Sequence, residues 1–162
     1  MLTQAELKIN LHYDCGTGIF TWLIATSQRV KAGSIAGSKR SDGYLAIKLN
    51  GKSYKAHRLA WLYINGVWPQ NQIDHINNIK DDNSIANLRE ATQEQNQQNH
   101  RQAHSDNPSG LLGVSWNKAM QKWLSQIQVN KKMIHIGLFA CKFEAHEAYL
   151  AKKRDIHEFC TI

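Results

Sequence analysis

The chain has 162 residues, with 20 Lys and Arg against 13 Asp and Glu, so its formal net charge is +7. This length allows one large domain or two or three small ones, and the basic balance favours a polyanionic partner. The sequence contains neither a signal-peptide pattern nor a long apolar run, so we expect a soluble protein that requires no membrane partner.

The three cysteines, Cys15, Cys141 and Cys160, are widely separated and form no Cys-x-x-Cys pair. Structural zinc sites usually use such pairs, so no structural zinc is expected. An odd number of unpaired thiols is typical of a reducing compartment. The expected location is therefore the cytoplasm.

Residues 1–66 are expected to form a basic, mostly β extension that leads into a helix. Thr3 to Glu6 is a capping-box pattern, which predicts a short helix to about Leu11. Residues 19–22 and 44–49 predict strands, and Asn50-Gly51 predicts a tight hairpin whose second strand covers 52–56. The glycine-punctuated segment 29–40 carries several basic residues, which are candidates for phosphate contact.

A helix is predicted to begin at His57 and to end near Gly66, since glycine commonly follows a helix and Pro69 prevents its continuation. Its apolar positions would pack against the segment that follows. Arg58, in the first turn, is a candidate for phosphate contact. His57 is an open alternative as an additional metal ligand.

Polar side chains that could act in catalysis or metal binding cluster in residues 73–99. Asp74 and His75 end a short apolar run, a polar loop covers 77–84, and a second strand is predicted over 87–91. Thr92 and Gln95 form another capping-box pattern, which predicts a helix that carries Asn96. Strand, loop, strand and helix thus present one carboxylate, one imidazole and two amides.

This spacing resembles the HNH nuclease family, whose ββα-metal module carries Asp-His on the first strand, Asn in the loop and Asn or His on the helix. The resemblance implies that Asp74 and Asn96 are the metal ligands and His75 is the general base. It further implies that Asn87 holds the loop and orients the imidazole. The HRLAW segment that begins at His57 resembles the sequence before the motif in phage-type members.

The chemistry of phosphodiester cleavage agrees with these roles. A hard divalent cation stabilises charge on the transition state and on the leaving oxygen, and it prefers carboxylate and amide oxygens. Histidine suits the base, because its unperturbed pKa of about 6.5 lies near the working pH. One divalent ion is expected, Mg²⁺ first and Mn²⁺ as the alternative, with no small-molecule cofactor. Asn99 is the rival of Asn96 as second ligand.

Residues 105–109 are predicted to be a linker, and 110–162 a separate unit of three strands and one helix. The pattern GVSW…KW…HIGLF…EAHEAY resembles the plant ethylene-response-factor (Apetala-type) DNA-binding domain, which is also found attached to HNH nucleases. In that family the sheet enters the major groove and the helix covers its back. The arginines typical of that sheet are absent from this one, so base preference does not transfer.

Strand alternation places Lys122, Gln126 and Gln128 on the face of the central strand opposite the apolar set. The family pattern adds Ser115, Asn117 and His135 to that outer face. Glutamine and asparagine pair with adenine, and lysine reaches guanine or phosphate. The candidate DNA contacts are therefore these six residues together with Arg58 and the hairpin-turn residues Lys131 and Lys132.

The sequence therefore predicts an α+β chain with three parts: the extension 1–66, a ββα-metal catalytic module over 67–104, and the DNA-binding unit 110–162. The predicted function is a site-preferring DNA endonuclease of homing type, from a phage or mobile element, which acts as a monomer on double-stranded DNA in a bacterial host. A non-catalytic DNA-binding regulator with a decayed nuclease module is the alternative, and a ribonuclease is a third candidate. Target site, nicking or double-strand cleavage, native metal and oligomeric state stay open.

Overall fold

A computed structural model describes residues 1–25, 27–28, 30–99, 102–157 and 159–161. The chain divides into two compact units, Met1–Asn96 and Gln97–Ile162. Arg29, in the basic segment predicted over 29–40, lies outside the described residues. The boundaries predicted at 66 and 104 stay predictions.

The first unit contains two-stranded and three-stranded antiparallel sheets and short helices. In chain order its elements are α1 (Gln4–Asn10), β1 (Leu11–Tyr13), β2 (Phe20–Trp22), β3 (Ser38–Lys39), β4 (Leu45–Leu49), β5 (Lys52–Lys55), α2 (Ala56–Asn65), β6 (Gln72–His75), a 3₁₀ turn (Ile85–Asn87) and β7 (Leu88–Ala91). Helix α3 (Gln93–Gln98) follows. The sheets are β1-β2, β3-β4-β5 and β6-β7.

Local signals explain several of these elements. Thr3 caps α1 and exchanges hydrogen bonds with Glu6, so the predicted capping box is confirmed. The turn between β4 and β5 has φ of +50° at Asn50 and +77° at Gly51, the combination that a tight hairpin requires. Helix α2 ends at Gly66 in the left-handed conformation, as glycine allows without steric cost.

One apolar core runs through the whole first unit. Its buried members come from α1, the β1-β2 ribbon, β4, α2 and both strands of the β6-β7 ribbon: Leu2, Leu7, Leu11, Tyr13, Phe20, Trp22, Ala36, Ile47, Leu49, Ala56, Leu59, Ala60, Leu62, Ile73 and Leu88. The N-terminal segments therefore share a core with the strands that carry Asp74 and His75. The N-terminal segments thus support the ribbon that carries Asp74 and His75.

The β6-β7 ribbon pairs Asp74 with Arg89 and His75 with Leu88. Asn87 lies at the end of the 3₁₀ turn, one residue before β7, where the sequence predicted the start of a strand. Thr92 and Gln95 form the predicted capping box at α3, with Thr92 N donating to Gln95 Oε1 over 2.8 Å and Gln95 N to Thr92 Oγ1 over 3.2 Å. The expected strand, loop, strand and helix are present.

The second unit is a three-stranded antiparallel sheet and one helix. Its elements are β8 (Val114–Asn117), β9 (Lys122–Val129), β10 (Lys132–Phe139) and α4 (Lys142–Ile156), with β9 in the centre of the sheet. Helix α4 packs on one face: the ring of Tyr149 lies against Gly113, where an added Cβ would come within 2.0 Å of the ring. The α+β class and the sheet-on-helix unit are confirmed. Within the described residues, none of the helices has the length and apolar character needed to cross a membrane.

Candidate functional site

Asp74 lies in β6 directly opposite Arg89 of β7 and is 5% exposed. Its Oδ2 accepts hydrogen bonds from Arg89 Nε over 2.9 Å and from Nη2 over 2.8 Å. Because a buried carboxylate is costly without a partner, this contact compensates for the loss of water. It also fixes the carboxylate at the end of the ribbon.

His75 is 4% exposed and is surrounded by aromatic rings and an amide. The ring centroids of His57 and Tyr44 lie 5.0 and 5.7 Å from its own, and its Nε2 lies 3.3 Å from Asn83 Oδ1. Burial lowers the pKa of His75 below its ordinary value, while the hydrogen bond to Asn83 opposes this change. The imidazole is thus neutral at pH 7, the form that accepts a proton.

Asn87 closes the loop between the two strands. Its Oδ1 accepts from Asn77 N over 2.9 Å, its Nδ2 donates to Asp82 O over 2.9 Å, and its main-chain oxygen accepts from Ile76 N over 2.9 Å. These bonds tie the loop to the end of β6, and the role of Asn87 in orienting the imidazole stays a prediction. Asn83, which no sequence pattern indicated, contacts the imidazole of His75.

The side chain of Asn96 contacts Gln72 in β6, the strand that also carries Asp74. Side chains two residues apart on a strand share a face, so Gln72 and Asp74 point to the same side of β6. Asn96 Nδ2 donates to Gln72 Oε1 over 2.8 Å. The hydrogen bond uses the amide nitrogen of Asn96, so its oxygen is the atom suited to a cation.

The donor set of Asp74 and Asn96 fits a hard divalent cation, since it consists of carboxylate and amide oxygens. It lacks the thiolates and multiple imidazoles that favour zinc. Across the described ranges, no group of three or more His, Cys, Asp and Glu side chains converges. A cation here would therefore rely on few protein ligands, with water and phosphate completing its shell.

The two alternative ligands differ in their surroundings. His57 is buried in α2, and its Nδ1 has no hydrogen-bond partner among the described residues. Burial, with a smaller contribution from His75, lowers the pKa of His57 to about 3. Asn99 belongs to the second unit, where its Oδ1 accepts from Thr161 Oγ1 over 2.5 Å.

Arg58 faces the segment that leads into β6. Its guanidinium carbon lies 5.9 Å from the ring centre of Trp68, and Nη1 and Nη2 donate over 3.4 Å to the carbonyls of Asn71 and Pro69. These contacts hold the chain between α2 and β6. The phosphate contact expected of Arg58 stays a prediction.

Two lysines that no sequence pattern indicated lie against the ring of Tyr44. The Nζ atoms of Lys55 and Lys80 lie 4.3 and 5.2 Å from the ring centre of Tyr44, the ring that contacts His57 and His75. Lys80 also donates to Asp42 O over 3.0 Å. Their sequence positions are far apart, so no local pattern could have paired them.

In the second unit, the register decides which side chains share a face. Val114 lies opposite Ser125 and Ile134 opposite Ile127, and these inner positions include the buried Ser125 and Ile127. The residues that alternate with them, and their cross-strand partners, point to the other face. All six sheet candidates lie on that outer face: Ser115, Asn117, Lys122, Gln126, Gln128 and His135.

Lys131 follows Asn130 in the turn between β9 and β10, and both have positive φ, +64° and +49°. Lys132 begins β10. The tight turn therefore presents two consecutive cations at one end of the sheet.

Comparison with known proteins gives one family and one solved structure. Residues 54–98, from β5 to the end of α3, match the family model of the HNH endonuclease. One similar solved structure is described as "DNA binding and cleavage by the HNH homing endonuclease I-HmuI". The sequence identity is 27% and the TM-score is 0.43, and the match covers 56% of this chain and 51% of that chain. The chain thus spans about half the length of that structure. Among curated proteins, no match was found.

Proposed function

We propose that the chain is a metal-dependent DNA endonuclease of homing type, since residues 54–98 match the HNH endonuclease family model. Its general base is His75, and its metal ligands are Asp74 and Asn96. The observation that carries the proposal is the placement of the buried His75 imidazole, 3.3 Å from Asn83 Oδ1, at the end of the ribbon next to Asp74.

In the proposed mechanism, each of these residues has a separate role in hydrolysis. His75 takes the proton of the attacking water, so that hydroxide forms next to the phosphorus. Asn87 keeps the loop closed over the ribbon end. A divalent ion, Mg²⁺ or Mn²⁺, would supply charge stabilisation at the phosphate when held by Asp74 and Asn96. Lys55 and Lys80 add positive charge beside Tyr44, whose ring contacts that of His75.

Double-stranded DNA is the proposed substrate. The net charge of +7 favours a polyanion. The outer face of the second unit's sheet carries amides, a lysine and an imidazole, which are groups that read base edges in the major groove. This unit would supply site preference, as in the ethylene-response-factor-type domain that it resembles, with one protein molecule on each site.

One observation favours the alternative of a non-catalytic DNA-binding regulator. Arg89 bonds twice to Asp74 Oδ2, and a cation must compete with or share that carboxylate. A carboxylate that stays bound to arginine would stabilise the fold without binding a catalytic cation. The two functions differ in whether DNA is cut when a divalent cation is added.

The test uses the purified full chain and supercoiled plasmid, with Mg²⁺, Mn²⁺ or chelator. Cleavage should require the cation, and His75→Ala should reduce its rate about 10²–10⁴-fold with DNA affinity nearly unchanged. Asp74→Asn should abolish cation dependence together with activity. His12→Ala, at an exposed histidine of β1, is the control and should cut like the parent. Binding without cleavage under every cation would favour the regulator.

A further inference from the structure

Asn83 is a buried amide in the loop between β6 and the 3₁₀ turn, and it is 1% exposed. Among the described residues its side chain has two polar contacts: Oδ1 lies 3.3 Å from His75 Nε2, and Nδ2 donates to Asp81 O over 3.2 Å. Its main-chain oxygen accepts from Tyr13 Oη over 2.7 Å. One residue therefore connects the imidazole of His75 to the N-terminal ribbon.

The orientation of the Asn83 amide defines the tautomer of His75. The NH₂ group faces a carbonyl, so the amide oxygen is the atom that faces the imidazole. An amide oxygen only accepts hydrogen bonds, so Nε2 must carry the proton. In a neutral ring the other nitrogen, Nδ1, then has the lone pair that can take a proton.

The β1-β2 ribbon fixes the position of Asn83 at three points. Tyr13 donates to its carbonyl, Ile85 N donates to Cys15 O over 3.0 Å, and Gly18 lies directly against the loop backbone. A Cβ at Gly18 would come within 2.4 Å of the Asn83 carbonyl carbon. Burial raises the pKa of Tyr13, so its hydroxyl stays a hydrogen-bond donor at neutral pH.

We infer that Asn83 is a positioning residue that keeps the proton of His75 on Nε2, and that Tyr13 holds Asn83 in place. The inference rests on the proposed function, in which Nδ1 of His75 takes the proton of water. Tyr13 of the N-terminal ribbon then helps to position the imidazole of His75 through Asn83.

The first test detects the proton on Nε2 of His75 directly, in the full chain without metal or DNA. In protein labelled with ¹⁵N-histidine, His75 should give an Nε2–H proton signal that exchanges slowly with water, assigned by its loss in His75→Ala. Asn83→Leu removes the acceptor at similar size and should abolish the signal. Asn83→Asp restores an acceptor oxygen and should restore the signal. A protected Nε2–H that persists in Asn83→Leu overturns the inference.

The second test separates turnover from binding. Asn83→Leu should lower the single-turnover cleavage rate about 10–100-fold and leave the Kd for DNA unchanged, and Asn83→Asp should recover part of the rate. Tyr13→Phe, which deletes one hydroxyl, should lower the rate in the same direction. Tyr63→Phe is the control, because its ring packs 5.5 Å from that of Tyr13 in the same cluster, and it should leave the rate unchanged.

The two tests keep this inference distinct from the proposed function. A wild-type chain that cuts no DNA refutes the nuclease, while the Nε2–H signal still decides whether Asn83 positions His75. Equal losses of rate in Tyr13→Phe and Tyr63→Phe would overturn the role of Tyr13.

Discussion

Two imidazole rings, those of His57 and His75, lie 5.0 Å apart inside the first unit. Burial is the main reason that the pKa of each is lowered, and for His57 it falls to about 3. The neutral form of His57 is thus part of the folded state. In the unfolded chain His57 instead binds a proton with its ordinary pKa of 6.5.

This difference predicts acid lability. As the pH falls below 6.5, the unfolded state gains a proton that folded His57 does not accept, so the free energy of unfolding falls by about 1.4 kcal/mol per pH unit until the folded group titrates. His57→Phe should remove this contribution, and its free energy of unfolding should depend less on pH between 4 and 6.5. Urea denaturation at several pH values measures it.

The matched control is His12→Phe, which changes an exposed histidine of β1. It should keep the pH dependence of the parent. If His57→Phe and the parent lose stability in parallel on acidification, His57 does not determine acid lability.

Residue-level predictions from the sequence depended on spacing. Asp74, His75, Asn87 and Asn96 were selected because the HNH pattern places them within one short stretch, and the structure puts them on a single ribbon, loop and helix. Asn83 carried no such signal, since its partner Tyr13 is 70 residues away in sequence. Only tertiary contacts distinguish Asn83 from the other polar residues of its loop.

At the scale of elements, Gly18 of the β1-β2 ribbon lies against the backbone of the loop that carries Asn83. Its φ is +73°, and an added Cβ would lie 2.3 Å from Ser84 N. Gly51 has a similar φ of +77° but has no heavy atom within 4 Å of the same position among the described residues. Alanine at either glycine would therefore have similar backbone strain, and only alanine at Gly18 would also clash with neighbouring backbone.

Gly18→Ala should consequently destabilise the chain by about 1–3 kcal/mol more than Gly51→Ala, because its methyl group displaces a packed backbone. It should also slow DNA cleavage, since the displaced loop carries Asn83. Chemical denaturation and single-turnover cleavage of both variants measure these effects. Equal stability and equal rates in the two variants would show that the ribbon does not hold the loop.

The sheet of the second unit offers a separate prediction. Gln126 and Gln128 point from β9 to the outer face, whereas Lys131 lies in the following turn. Gln126→Ala or Gln128→Ala should cost about 1–3 kcal/mol on a matched site and little on a scrambled one. Lys131→Ala or Lys132→Ala should weaken binding to both and reduce the salt slope by about one.

Titration of matched and scrambled duplexes at several salt concentrations separates the two classes. Equal losses on both duplexes for the glutamine variants would mean that the sheet does not read bases. In that case the second unit would be an electrostatic anchor.

Elements with a local signal were predicted well, and elements made by distant pairing were not. The α1 capping box, the Asn50-Gly51 hairpin and strand β9 have clear patterns within a few residues. Strand β3 has only two residues and exists because it pairs with β4. β1 begins at Leu11, where the sequence predicted the end of α1 but no strand, because it pairs with β2.

At the scale of the whole chain, the charge is distributed unevenly along the sequence. Residues 1–66 carry nine Lys and Arg against three Asp and Glu, and residues 106–162 carry eight against five. The intervening stretch 67–105 carries three against five. In the sequence, basic residues thus outnumber acidic ones on both sides of the segment with Asp74 and His75, a distribution that favours a polyanionic partner.

The modular division predicts what two overlapping fragments should do. Residues 1–104 keep the whole core of the first unit and all of α3. They should show weak, cation-dependent and poorly selective cleavage, because every proposed catalytic side chain is retained. Plasmid cleavage, compared with the full chain on matched and scrambled duplexes, measures both activity and selectivity.

The second fragment should begin at Gln97 rather than at the predicted linker. Gln98 Oε1 accepts from Phe159 N over 3.4 Å and Asn99 Oδ1 accepts from Thr161 Oγ1, so residues 97–99 contribute contacts to the second unit. Residues 97–162 should bind DNA without cutting it, and a start at Asn107 should lower stability. If residues 1–104 fold by circular dichroism yet cut no DNA with either cation, catalysis requires both units, and the modular division of function is wrong.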